Sequence, residues 1–294
     1  MSIAGKRRCA AAAFVTLLAL SVYWPSPIVS VNRLWFGEHL PVDELSFLGR
    51  EAPSWDIAFW FFAGLLLLGI AQSSEAADTR EPLAQLRALR FDRALLRRAI
   101  VGLAAGLVAT LLVWRFADAP GLAWAEGAQS DWSEAFVRIL NRLGGGMNPV
   151  LVVAFFLVAG VAYRERRWIS YAIAMALAGL AAGALAQIIK PLAGRARPEL
   201  WLGPAHYAPG ASMSFPSGHT VGAFALGGVL VFASRHWPLR ALALALACAI
   251  ALSRVLAFRH WPSDVTASAA IGLVSAWVAV SLTRAEAEGT AGDV

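Results

Sequence analysis

The sequence predicts an all-α fold, a polytopic bundle of transmembrane helices, on three observations. Of its 294 residues, 59% are hydrophobic and only 15% are charged, whereas a soluble domain carries about 25% charged residues. Apolar runs long enough to cross a hydrocarbon core of about 30 Å recur along the chain. Between them the basic residues gather in alternate connections, the pattern that orients helices in a membrane. Too little polar surface remains to cover soluble domains of this length. A sheet open to lipid would strand its backbone N–H and C=O groups, so helices are expected throughout.

Eight spans are expected, at 9–24, 55–73, 99–116, 148–163, 169–189, 219–234, 241–258 and 265–283. The first follows Lys6, Arg7 and Arg8 and ends near Ala19-x-Ser21. That pattern fits either a retained helix or a secretory signal peptide, and cleavage would leave the orientation of the other seven unchanged. After the second span, residues 80–98 set Leu83, Leu86, Leu89, Leu95 and Leu96 among arginines. Two readings stand side by side, an amphipathic helix on an anionic membrane surface or a solvated basic loop. The span at 169–189 carries Ala174, Ala178, Gly179, Ala182, Gly183 and Ala186, small residues that let membrane helices approach closely. Connections 25–54 and 117–147 are rich in Trp, Pro and Gly. They either shape a headgroup entrance or anchor at the interface through Trp24, Trp35, Trp55, Trp124 and Trp132, with anchoring the simpler reading. The domain reading is an N-terminal two-helix extension at 1–98, a core at 99–283 and a short tail at 284–294.

Charge tests the helix count loop by loop. Lys6, Arg7 and Arg8, then Arg80 to Arg98, then Arg164, Arg166 and Arg167, then Arg235 and Arg240 fall on one side. Glu38, Asp43, Glu44 and Glu51, then Asp118, Glu126, Asp131 and Glu134 fall on the other. The alternation puts both termini in the cytoplasm. The net charge of +6 therefore reads as membrane orientation, and no nucleic-acid partner is expected. Cys9 and Cys248 lie alone in apolar runs and read as inert buried thiols. Asn32, Asn141 and Asn148 all fail the glycosylation pattern.

Three polar stretches interrupt the later spans: Lys190 to Pro198, Pro216-Ser217-Gly218-His219, and Ser253-Arg254 followed by His260 and Asp264. The topology puts all three at helix ends on the extracytoplasmic side. Cations are unexpected there, so Lys190, Arg195, Arg197, Arg254 and Arg259 call for an anionic ligand. Snorkelling to headgroups accounts for any one of them and poorly for the set. Pro216 suits a first helical turn, and a helix starting near Ser217 to His219 aims free N–H groups and its positive end at an anion. Trp261-Pro262-Ser263-Asp264 reads as entry into the last helix. Asp264 is then expected to accept from His260 Nδ1–H, leaving Nε2 as an oriented nucleophile. These parts suit metal-free phosphoryl transfer through a histidine. The apolar surroundings make the phosphate that of a lipid.

The three stretches resemble the signature of the type 2 phosphatidic acid phosphatase (PAP2) superfamily: Lys-x6-Arg-Pro, Pro-Ser-Gly-His and Ser-Arg-x5-His-x3-Asp. Lys190, Arg197, Pro198, Pro216 to His219, Ser253, Arg254, His260 and Asp264 fill every fixed position. The resemblance covers about residues 99–283 and implies a six-helix core, to which the first two spans are an addition. It implies catalytic roles for three residues. His260 attacks phosphorus, Asp264 orients it, and His219 protonates the leaving oxygen and then activates water. Lys190, Arg197, Ser217, the Gly218 N–H and Arg254 would hold the phosphate oxygens. No cofactor and no metal are implied. Arg195, Glu199, His206, Tyr207 and Arg259 lie beside the signature and read either as headgroup selectors or as ordinary loop polarity.

The expected function is an extracytoplasmic lipid phosphate or pyrophosphate phosphatase in a bacterial inner membrane, with undecaprenyl pyrophosphate slightly favoured as substrate. Phosphatidate, phosphatidylglycerol phosphate and lipid A phosphates are the other candidates, because the signature reads only the phosphate. Transfer of the phosphoryl group to a second lipid is an alternative use of the same histidine. A non-catalytic lipid binder or transporter is a remoter one, since such a protein could lose His219, His260 or Asp264. The oligomeric state is not legible.

Overall fold

The computed structural model describes residues 92–145, 148–163, 165–208 and 213–289. They form α1 (Arg93–Phe116), α2 (Asp118–Gly127), α3 (Asp131–Gly144), α4 (Asn148–Tyr163), α5 (Arg166–Ala193), a 3-10 turn (Pro198–Leu200), α6 (Gly218–Ala233), α7 (Trp237–Leu256) and α8 (Pro262–Gly289). Among the described residues there is no strand, only an isolated bridge between Arg195 and Tyr207. The spans expected at 9–24 and 55–73 lie outside the described residues, as does the connection up to residue 91. The later spans each correspond to a helix. Of these, α1, α5, α7 and α8 as far as Thr283 are long and apolar enough to cross a membrane. The helices α4 and α6 are shorter, with 16 residues each. The chain is an integral membrane protein, and its described residues form an all-helical fold.

The start of α1 settles part of the 80–98 ambiguity. Asp92 caps the helix by accepting from the Leu95 N–H at 2.6 Å, so Arg93, Arg97 and Arg98 belong to the first turns of a span. The boundary expected between 98 and 99 falls inside α1, and α8 runs on past 283. Contacts divide the described residues into two compact units, the first within 145–172 and the second within 92–144 and 173–289. In the first, α4 meets the opening of α5 through aromatic edges. The Phe156 ring lies 6.2 Å from Trp168 and 6.0 Å from Tyr171.

The second unit is built on small residues. On α1, Ala99, Gly102, Gly106 and Thr110 form one stripe at helical spacing, with Ala99 and Thr110 buried. A β-carbon at Gly106 would collide with Ala270 of α8, and one at Gly102 would touch Val274. The other faces of α1 expose Ile100, Val101, Leu107, Val108, Leu111, Leu112 and Phe116. An apolar band this continuous is the surface that lipid covers. Helix α6 lies against both α7 and α8. At Gly272 a β-carbon would fall 2.8 Å from the Val221 carbonyl oxygen and 2.7 Å from Phe224 Cβ. Thr110, Thr266, Ser268, Ser281 and Thr283 return their hydroxyls to carbonyls of their own helices, which satisfies polar groups where no water competes.

Gly272→Ala is therefore expected to destabilise the folded state by about 1–3 kcal/mol, because backbone rather than a flexible side chain fills the space. A β-carbon at Gly183 would meet nothing within 4 Å, so Gly183→Ala is the control. Unfolding in mixed micelles compares the two, and equal stability would contradict this packing.

Connection 117–147, in which the sequence reading placed no span, is largely helical. A scan for apolar runs passes over it because α2 and α3 are amphipathic or short. Ser130 and Ser133 cap the start of α3 reciprocally, each hydroxyl accepting the other's N–H at 2.9 and 3.2 Å. Leu140 packs inward, while Trp132, Ile139 and Leu143 stay exposed. Helix α3 packs on α6 and α7 and ends at Gly144, where a β-carbon would come 2.7 Å from Ile250.

Candidate active site

The polar stretches meet at one end of the second unit. Lys190 lies in the last turn of α5, and its Nζ reaches the Met213 carbonyl at 3.4 Å. Gly194 then takes φ 56, a left-handed turn that suits glycine, and leads into the α5–α6 connection. Ser217 is the N-cap of α6, its hydroxyl accepting from the Thr220 N–H and hydroxyl. Gly218 follows, exposed and with open space where a side chain would be. The first N–H groups of α6 have no partner within the helix and point out of its end. Pro216 sits one residue before the cap, after a cis bond from Phe215, rather than in the first turn as expected. Arg254 closes the last turn of α7, His260 occupies the link to α8, and Asp264 lies in the first turn of α8.

His219, Lys190, Arg254 and His260 are near enough to act on one another electrostatically. A β-carbon at Gly144 would lie 3.5 Å from His219 Cδ2, which brings the end of α3 beside this ring. Arg254 is buried and donates through Nη1 to Asn141 Oδ1 of α3. Its Nε is buried without a hydrogen-bond partner. Arg197 is half-buried, 3.4 Å from Glu199, and Glu199 also receives Arg259 at 2.7 Å. Ser217 is fully buried and spends its hydroxyl on the cap. Of this pair, then, Gly218 offers the open surface.

His260 is oriented differently from the expectation. Its Nδ1 lies 2.6 Å from the Ser214 carbonyl oxygen, while Asp264 Oδ2 is 3.7 Å away, too far for a hydrogen bond. A carbonyl only accepts, so Nδ1 carries the proton and Nε2 keeps its lone pair. Asp264 acts at one remove. Its Oδ2 accepts from the Ser214 hydroxyl at 2.6 Å and from the Trp261 N–H at 3.0 Å, and its Oδ1 accepts from Arg195 at 2.5 Å. The reason is local: an acid at the third position of a helix reaches back to the N–H before it. Burial pushes the His260 imidazole below its ordinary pKa, and Arg254 and Lys190 push the same way against the nearby Asp264 charge. The result is a neutral imidazole with its free nitrogen fixed beside several cations. Such a set can bind a phosphate and attack it.

Residues 167–287 match the sequence profile of the PAP2 superfamily. A lipid A 1-phosphatase of Rhizobium johnstonii is 42% identical over 100 residues, covering 31% of this chain and 38% of that relative. The matched stretch is thus well under half of the relative's length. A transmembrane PAP2-type phosphatidylglycerolphosphate phosphatase from Bacillus subtilis superposes with a TM-score of 0.51 at 20% identity, over 65% of this chain and 96% of that one. That likeness concerns the fold.

All the residues singled out in the three stretches lie inside the matched segment. Asp118 and Asn141 do not, yet both reach the site from α2 and α3. Neither carries a local motif, and only their contacts with Arg195 and Arg254 reveal them. Ser214 went unnoticed for another reason: it holds His260 with a backbone carbonyl, which every residue has.

Proposed function

We propose that this chain is a lipid phosphatase working through a phosphohistidine at His260. The observation that carries the reading is the Nδ1 hydrogen bond to the Ser214 carbonyl, which leaves Nε2 free beside Lys190, Arg254 and His219. In the first step Nε2 forms a bond to phosphorus as the bond to the leaving oxygen breaks, and His219 gives that oxygen a proton. In the second, His219 takes a proton from water, whose oxygen displaces Nε2 and releases inorganic phosphate. Lys190, Arg197, Arg254 and the N–H groups at the start of α6 neutralise charge spread over the phosphoryl oxygens, the main catalytic contribution in phosphoryl transfer. The buried Nε of Arg254 fits this, because an unsatisfied buried donor is costly unless a ligand meets it.

The charge alternation along the sequence supports a site on the extracytoplasmic face of a bacterial inner membrane. The stretch shared with a lipid A 1-phosphatase makes lipid A the first substrate to try, ahead of undecaprenyl pyrophosphate. The test is a panel in detergent micelles with a chelator present: lipid A, undecaprenyl pyrophosphate, phosphatidate and phosphatidylglycerol phosphate. Inorganic phosphate is expected from at least one, with the chelator changing the rate by less than about twofold, since a cation-lined site has no need of a metal to neutralise the phosphoryl charge. Release from none would end the phosphatase reading. Label appearing on a second lipid instead of in free phosphate would redirect it to phosphotransfer.

A further inference from the structure

We propose that Arg195 and Asp118 are positioning residues that hold the His260 imidazole in its attacking orientation. The proposal rests on the phosphohistidine reading above. Arg195 is only 2% exposed, in the connection between Lys190 and Arg197. Its Nη1 donates to Asp264 Oδ1 at 2.5 Å and to the Ser263 hydroxyl at 2.7 Å. Its Nη2 donates to Asp118 Oδ2 at 2.5 Å and to the Pro204 carbonyl at 2.8 Å, and Nε donates to that carbonyl at 3.1 Å. Asp118, fully buried at the start of α2, also accepts the Ser263 N–H at 2.8 Å and hydroxyl at 2.7 Å. One guanidinium thus joins the start of α2, the α5–α6 connection and the first turn of α8. The Trp261 ring lies 5.4 Å from it, and the Trp261 indole N–H donates to the Ala196 carbonyl at 2.8 Å.

From there the path to the histidine is short. With Oδ1 of Asp264 held by Arg195, Oδ2 faces the Ser214 hydroxyl and the Trp261 N–H. Ser214 is held a second time, its N–H donating to the Arg195 carbonyl at 3.0 Å. Its own carbonyl then receives His260 Nδ1. Arg195 therefore fixes Ser214 through its side chain, by way of Asp264, and through its backbone. Burial opposes the Arg195 charge, but Asp264 and Asp118 outweigh it and raise its pKa above the ordinary guanidinium value. It stays charged. A ring shifted by a fraction of an ångström loses alignment with phosphorus while the phosphate-binding cations remain in place. The loss should fall on kcat rather than on KM.

The experiment compares Asp118→Asn, Arg195→Lys and Arg195→Gln in the full chain, each alone and combined with Asp264→Asn. It measures kcat and KM on the panel lipid that the wild type hydrolyses. Asp118→Asn is expected to lower kcat about 10–100-fold, as loss of an orienting partner does, with KM changed less than about threefold. Arg195→Lys should retain at least about tenfold more activity than Arg195→Gln, because a cation without the fork restores part of the grip. Asp118→Asn added to Asp264→Asn should slow it less than about twofold further, since residues acting as one unit are not additive. Additive losses, an unchanged kcat or a KM effect alone would overturn the proposal. Arg195→Gln leaves two buried carboxylates uncompensated; if it does not fold, Asp118→Asn and Arg195→Lys decide. Hydrogen exchange at the Trp261 and Ser263 amides, expected to quicken in Asp118→Asn, is read independently of turnover. Unchanged exchange would overturn the network even in a chain that hydrolysed no lipid, while faster exchange in such a chain would leave the network standing and remove the phosphatase reading.

Discussion

Replacing His260 with alanine is expected to lower phosphate release by at least about 10³-fold, the scale seen when a covalent nucleophile is removed. Arg254, Lys190 and His219 all remain, so binding of a lipid phosphate should survive in the variant. The defect therefore appears in kcat, and no phosphate label should stay on the protein. Substantial retained turnover would show that water attacks directly, without a phosphohistidine. The wild type supplies a companion measurement. His260 must be neutral to attack, and burial lowers its pKa from the ordinary 6.5. As pH falls, kcat/KM should hold through 6.5 and decline only below it, in the range where the buried imidazole at last takes a proton.

Substitution of His219 by glutamine is expected to cost about 10²–10⁴-fold on a lipid phosphate, the usual worth of a positioned general acid. The size of the loss should depend on the leaving group. A lipid alkoxide needs a proton as it departs, whereas an activated aryl oxygen does not. Formation of phosphohistidine from an aryl phosphate should therefore be nearly intact in His219→Gln. Its breakdown should be slow, because water then lacks its base. A burst of aryl alcohol, followed by label on the protein that survives alkali and is lost in acid, is the expected signature. Equal losses for both leaving groups, with no burst, would remove His219 from proton transfer and leave it only a binding role.

The spans were legible because burying apolar side chains in lipid needs unbroken apolar runs, and α1 and α4 through α8 contain such runs. Helices α2 and α3 were not, since α2 has only 10 residues and α3 keeps polar residues on one side, so both fail a search for long unbroken apolarity. The reciprocal Ser130 and Ser133 cap was the local sign of α3. At the site, residue types and spacing marked the histidines, the cations and Asp264 as neighbours. The pairing of Asp264 with His260 was misread because four-residue spacing also lets the carboxylate cap its own helix, and the Trp261 N–H, Ser214 and Arg195 took it. Contacts such as Arg195 with Asp118, 77 residues apart, leave no trace in local pattern. They exist only once helices meet.

Asp118 also bears on how this fold can be cut and transplanted. The recognisable segment starts at residue 167, but a graft with that boundary would carry Arg195 into its host with one of its two carboxylates missing. The smallest portable piece reaches back at least to the start of α2. Chimeras joined within α1 should keep the ion network whole, whereas those joined in α5 inherit whatever acid the host offers in its place.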